Sequence, residues 1–427
     1  MTLIQDHPQR YALANELHAR PFPTMQAPGR VAFLALMPSA LGQTLDKDAA
    51  RADLAALLDR FGATHPRPDA THYAGPLGRH QLKWECHTEF VTYTLYEAGH
   101  SDRLFAPTIF EIFPADWLAG VQAFRVTSLV IEIVQFDLEA APPADLLGCF
   151  VSESLCVSDV LDRSARLMAD FHIDEAGHMR FALLAAAATD AQRTGRIVQR
   201  MCEIETYKTM AMLGLVAARD VAGQMDDLAD RLSALIGDLR GEHKDAEQNL
   251  RDLLAISARL EHLESRTSYR FGATRAYEAI VNQRIDVLRE KRFAGMQTFA
   301  EFMMRRFDPA MRTVAATKAR LAELSTRARR AGELLRTQVE VAREAQNQTL
   351  LQSMDKRADL QLRLQQTVEG LSVVAISYYA ISIAGYLLYP LADQSGLSRG
   401  WLMAGVTVPV IALVWMAVRR IRKRLHP

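Results

Sequence analysis

Two stretches near the C-terminal end constrain this chain more than anything else in it. From Gly370 to Ala392 run 23 residues without a charge, and from Gly400 to Val418 run 19 more. A hydrocarbon core about 30 Å thick takes about 20 helical residues to cross, so each run is long enough to span a membrane. The connection DQSGLSRG is short and carries Asp393, Gly396 and Gly400, which predicts a hairpin of two membrane helices. Tyr386, Tyr389 and Trp401 stand where interfacial aromatics are expected. After Val418 come Arg419, Arg420, Arg422, Lys423 and Arg424, with no acid among them. Lys and Arg stay on the cytoplasmic side, so this tail orients the hairpin and offers cations to anionic lipids. Lys356, Arg357 and Arg363, ahead of the first run, agree. Two spans put the N-terminal body and the C-terminus on one side, the cytoplasm.

The first run is the tip of something longer. No proline occurs between Pro309 and Pro390, and helix formers dominate from Ala310 onward. Val314, Leu321, Leu324, Ala328, Ala331, Leu335, Ala342 and Ala345 recur at three- and four-residue spacing, a heptad-like seam flanked by charge. At 1.5 Å per residue, residues 310–390 would make one helix on the order of 120 Å long. Such a helix needs neighbours from the same chain, from other copies, or both. Upstream, residues 190–241 read as two helices and 242–269 as another. A further helical stretch ends at Pro309, read as a stop signal. The run TMAMLGLVAA is too short to span and reads as a buried helix face.

Before residue 185 the pattern changes to strands. RVAFLALM, LKWECHTEFVTYTLY, LFAPTIFEIF and TSLVIEIVQFD read as strands, and DFHIDEAGHMRFALL as a hairpin turning at Asp174–Gly177. Helices are expected near 46–61 and 115–124. The fold class is therefore an α+β membrane protein. Its expected divisions are an N-terminal docking segment (1–27), a cytoplasmic α/β domain (28–184) and a helical domain (185–309). A stalk helix (310–369), a transmembrane hairpin (370–418, spans 370–392 and 400–418) and a basic tail (419–427) follow.

Balanced charge, 50 basic against 50 acidic residues, gives no reason to expect nucleic acid. Cys86, Cys149, Cys156 and Cys202 form no CxxC pair and no zinc spacing, which fits buried thiols in a reduced compartment. No GxGxxG, P-loop or GxSxG occurs, and no enzyme mechanism can be written from the residues. Two polar constellations stand out. In KWECHTEF, period-two alternation puts Lys83, Glu85, His87 and Glu89 on one strand face, opposite Trp84, Cys86 and Phe90. Glu85, His87 and Glu89 offer oxygen and imidazole ligands for a divalent cation, the one cofactor the chain suggests; the other reading is a solvated face. In NELHARPFP, Asn15, Glu16, His18 and Arg20 precede Pro21 and Pro23, which force an extended exit. They read as a structural clamp or an anion contact.

The segments HPQRYALANELHARPFP, LKWECHTEFVTYT, GRIVQRMCEIETYKTMAML and LRLQQTVEGLSVVAISYYAISIAGYL resemble a bacterial family of membrane-anchored proteins, domain of unknown function 3422, over nearly the whole chain. The layout is also similar to the CorA family of magnesium channels. Ile383, Ala384 and Gly385 match that family's first span in type, but Tyr386, Leu387, Leu388 and Tyr389 stand where its Gly-Met-Asn signature would be. This second resemblance implies a homo-oligomeric cation channel of the bacterial inner membrane, a pentamer by analogy, gated by its cytoplasmic domain. The missing signature removes the basis for magnesium selectivity.

Within the first span, Ala375, Tyr378, Ser382, Gly385 and Tyr389 recur on one small and hydroxyl-bearing face, the candidate pore lining. The same face would serve plain helix packing. No acid or base lies within either run, which disfavours a proton-coupled carrier. Two functions are thus expected of the chain: a cation channel, or a non-transporting anchored scaffold or sensor that binds a protein partner.

Overall fold

The structure, a computed structural model, describes residues 4–11, 13–14, 22–38, 45–100, 103–238, 246–395 and 399–425. The chain forms two compact units, Met1–Gly332 and Glu333–Pro427.

In the first unit the strands are β1 (Gly29–Met37), β2 (His72–Leu77), β3 (His80–Cys86), β4 (Val91–Ala98), β5 (Phe124–Gln135), β6 (Cys156–Val160), β7 (Ala165–Ile173) and β8 (Met179–Ala185). A two-residue strand, β9 (Lys291–Arg292), completes one sheet in the order β2-β3-β4-β1-β5-β8-β7-β6-β9. Only β5 and β8 pair in parallel; the other neighbours are antiparallel. Helices α1 (Lys47–Arg60), α2 (Ala115–Gly120) and α3 (Ala144–Leu147) connect the strands. Asp46 caps α1, accepting from the amides of Asp48 and Ala49 at 3.0 Å each.

Both faces of the sheet are covered, which is why β1 reads as an unbroken apolar run rather than an alternation. Val31, Phe33 and Ala35 point into one core, Ala32, Leu34 and Leu36 into the other. The second core is closed by Leu54, Leu57 and Leu58 of α1 and by Trp117 of α2. The first is closed by two long helices, α4 (Ala191–Asp238) and α5 (Ala246–Leu288). Ile197, Val198, Met201 and Ile204 of α4 and Val281, Ile285 and Leu288 of α5 lie in one cluster with the strands. The helices after residue 185 therefore share a core with the sheet, and β9 returns from them to its edge.

Several local expectations differ from what forms. Residues 191–238 form one helix where two were expected; α4 and α5 approach at Gly214, where a Cβ would lie 2.1 Å from Thr274 Oγ1. LFAPTIFEIF contains a 3₁₀ turn, Pro107–Ile112, because Pro107 has no amide to give a ladder. Pro309 does not stop a helix. The short helix α6 (Phe299–Phe302) passes through a π turn, Met303–Phe307, into α7 (Asp308–Ser395). Pro309 thus follows directly on the π turn, where the Asp308 amide reaches back to the Met303 carbonyl, and the helical backbone continues through it into α7. TMAMLGLVAA is a buried face as expected, through Met210, Ala211, Gly214, Leu215 and Ala218.

The seam on α7 is buried through Met311, Val314, Leu321, Leu324, Ala328 and Ala331. Arg320 pairs with Asp226 of α4 at 2.7 Å, and Ser325 bonds Glu264 of α5 at 3.4 Å. So this part of the seam packs within the chain. Ala342 and Ala345, further along, are exposed. In the second unit α7 continues, and α8 (Arg399–Leu425) follows it.

Candidate functional site: a polar sheet seam and a helical hairpin

The strand face marked out by Glu85, His87 and Glu89 takes another form. Strand β3 ends at Cys86, and the His87 amide donates to the Phe90 carbonyl at 2.9 Å, turning the chain into β4. Alternation therefore keeps Lys83, Glu85 and His87 on one cavity and Trp84 and Cys86 in the opposite core, and the turn breaks it at Phe90, which lines the same cavity. Lys83 Nζ lies 3.1 Å from Glu85 Oε2 and donates to Gln199 Oε1 of α4 at 3.0 Å. Gln199 Nε2 donates to Glu203 Oε1 at 2.8 Å, and Glu203 pairs with Arg284 of α5. His87 stacks on Phe90, centroids 4.4 Å apart, and lies nearly perpendicular to Tyr207, centroids 6.4 Å apart. Glu89 turns to α5: Arg270 pairs with one of its oxygens, and the Tyr277 hydroxyl donates to the other at 2.6 Å.

This corrects the divalent-cation reading of Glu85, His87 and Glu89. Their carboxylates are held by Lys83, Arg270 and Tyr277 and do not converge; among the described residues no group of three His, Cys, Asp or Glu is placed to hold a metal. The solvated-face reading fails as well, since Lys83 and Glu89 are buried under the helices. What forms is a polar seam between sheet and helices, around a cavity of about 30 Å³ lined by Lys83, Glu85, His87, Gln199, Cys202 and Tyr207 among others. That is room for one or two waters. Burial pushes the Cys202 thiol well above its ordinary range, so it faces the cavity protonated. The partners of Glu89 come from 181 and 188 residues away. Their only trace in the sequence is a scatter of polar residues on otherwise apolar helix faces.

A serine–histidine pair lies near the β7–β8 turn. His178 Nδ1 is 2.9 Å from Ser128 Oγ, and Ser128 donates to the Gly177 carbonyl at 3.2 Å. Asp174 accepts from the His178 backbone amide and from Arg180, not from the imidazole. Both Ser128 and His178 are buried, and the ring stacks on Phe110 at 3.8 Å. The group lacks the base-orienting contact that nucleophilic catalysis needs and instead pins the turn. Burial, assisted by the Arg125 charge, pushes the His178 imidazole down to about 4.

Asn15, Glu16, His18 and Arg20 lie outside the described residues. The segment after them docks: Met25 is buried and its amide donates to the Ala191 carbonyl at 3.0 Å.

In the second unit the apolar runs form two helices long and apolar enough to cross a membrane, and little of either is buried in protein. Reduced exposure picks out Val373, Ser377, Ala380, Ile381, Ser382, Ala384, Gly385 and Leu388 on α7 and Val406, Thr407, Val410, Val414 and Val418 on α8. A Cβ on Gly385 would lie 2.7 Å from Met403 Sδ, so Gly385 is a contact of the hairpin itself. Of the other candidate pore residues, Ala375 and Tyr378 are exposed and Ser382 is half-buried, its hydroxyl donating to the Tyr378 carbonyl at 2.9 Å. Arg419 stacks over Trp415 at 4.9 Å, and Arg420 is exposed. The side chains of Tyr389, Arg422, Lys423 and Arg424 lie outside the described residues.

An α+β unit that shares one unbroken helix with a pair of helices able to cross a membrane defines the class of this protein. The chain belongs to the family described as Protein of unknown function (DUF3422), whose model matches residues 5–425. No curated protein matches it.

Proposed function

We propose that the chain is a two-span protein of the bacterial inner membrane, with both termini in the cytoplasm. It works as a homo-oligomer whose first spans gather and pass a cation, in a layout like that of CorA channels, with the first unit as the gate. One observation carries this reading. Helix α7 starts among buried residues such as Met311 and Val314 and runs without a break to Ser395, so one continuous helix belongs both to the folded unit and to the first apolar run. Exposed Ala375 and Tyr378, with half-buried Ser382 beside them, supply hydroxyls and backbone carbonyls, which suffice to line a path for a hydrated cation. The test is ion flux into liposomes carrying the purified full chain. Flux of at least one of magnesium, cobalt, zinc, sodium or potassium is expected, reduced in Ser382→Leu. No flux for any of the five would defeat the proposal.

A second reading, an anchored scaffold or sensor that binds a protein partner, is favoured by Gly385. Its small face is filled by Met403, as plain packing between the two helices of one hairpin requires. Liposomes that hold assembled protein and pass no ion would support it.

A further inference from the structure

Between Arg336 and Glu369 nearly every residue of α7 is exposed, yet the segment is not uniformly polar. Leu360, Leu364, Thr367, Leu371, Val374 and Tyr378 follow one another at spacings of four and three, the interval that keeps side chains on one seam of a supercoiled helix. The large apolar members are 65–68% exposed. Thr367 satisfies its hydroxyl on the Arg363 carbonyl at 2.8 Å, so it brings no open polar demand to the seam. The seam crosses a boundary. Leu371, Val374 and Tyr378 lie in the uncharged run, but Leu360, Leu364 and Thr367 lie outside it, among Asp359, Arg363 and Glu369. Lipid tails can cover the upper half and cannot reach the lower. A soluble partner can cover the lower half and cannot enter the upper. Only a helix that itself passes from water into the membrane at the same depth covers both.

We propose that the occupant is a second copy of this chain, packed in parallel and in register along Leu360–Tyr378. The hairpin itself imposes that arrangement: copies anchored in one membrane stand parallel at equal depth, so Leu364 meets Leu364, and confinement to the bilayer raises their effective concentration. The seam has a lower end. Arg357, one heptad before Leu364, would face its own copy, and like charges at facing positions push the helices apart. This inference rests on the two-span homo-oligomer proposed above and adds where and how the copies meet.

Single cysteines test it, introduced into the full chain in membranes and oxidised with copper phenanthroline. Facing residues of a parallel seam come within disulfide reach. Leu360→Cys, Leu364→Cys and Leu371→Cys are expected to shift from monomer to disulfide-linked dimer. Leu362→Cys, equally apolar and also exposed but on the far face, and Glu369→Cys are expected to stay at the level of the unsubstituted chain, whose four cysteines set the background. Dimer at Leu362 equal to that at Leu364, or none at any seam position, overturns the seam. So does Leu371→Cys linking to a cysteine at Val408 of the second helix in preference to its own counterpart. Flux without seam cross-links overturns the seam and leaves the cation proposal standing; seam cross-links without flux do the reverse.

Discussion

His178 shows how much one side chain depends on its surroundings. Its imidazole stacks on Phe110, bonds Ser128 and is held down to about 4 by burial and by Arg125. The folded chain therefore keeps this ring neutral where the unfolded chain, near 6.5, takes up a proton. Because the unfolded state binds more protons between those values, stability falls as pH drops from about 6.5 toward 4 and is unaffected above that window. The loss from this one group is at most about 3 kcal/mol. Thermal midpoints of the detergent-solubilised chain are expected to fall across that window, and less steeply in His178→Gln; equal slopes would remove His178 as the cause. Nothing in GHMRF announces this role, since Phe110 and Ser128 come from distant segments. The same holds for Glu89. Period-two alternation placed Lys83, Glu85 and His87 on one face and Trp84 and Cys86 on the other; it missed Phe90 and the partners of Glu89, because the turn to β4 and the pull of Arg270 are tertiary facts.

At the scale of elements, α4 depends on where its glycines lie. A Cβ on Gly195 would sit 1.8 Å from the Pro23 carbonyl oxygen, whereas one on Gly223 would meet nothing within 4 Å. Gly195→Ala must therefore push the docked N-terminal segment aside, at a cost of about 1–3 kcal/mol. Gly223→Ala removes backbone freedom from a helix interior and is expected to stabilise by up to about 1 kcal/mol. Limited proteolysis should cut the N-terminal segment faster in the first variant and no faster in the second; equal cleavage in both would mean that the crossing at Pro23 does not limit the fit. Strands β1, β5 and the β7–β8 hairpin were legible from local pattern, as was the buried face of α4. Pro309 was misread because its effect depends on what precedes it. As an isolated signal it ends a helix, but directly after the π turn at Met303–Phe307 the helical backbone runs on through it.

At the scale of the whole molecule, the apolar runs and the basic tail make a claim about sidedness. A reporter fused at the N-terminus and another after Pro427 are expected to lie in the cytoplasm. One inserted in the 393–400 connection should face the other way. Three reporters on one side would exclude a spanning hairpin. These runs were readable because length and hydropathy are local and additive along the chain. Seven-residue periodicity was also readable on α7, but not its partner. Up to Ala331 the seam is buried against the chain's own helices, while Ala342 and Ala345 are exposed. Sequence by itself thus determined the two membrane-length helices, the proline-free helix leading to them and most of the strands, because each is written in spacing along the chain. The tertiary structure alone decided that residues after 185 close the sheet's core and that β9 joins its edge. It also decided that Glu89 is spent on Arg270 and Tyr277 rather than on a cation. Those outcomes join residues over a hundred positions apart, and competition for burial and for charge partners across such distances leaves no periodic mark.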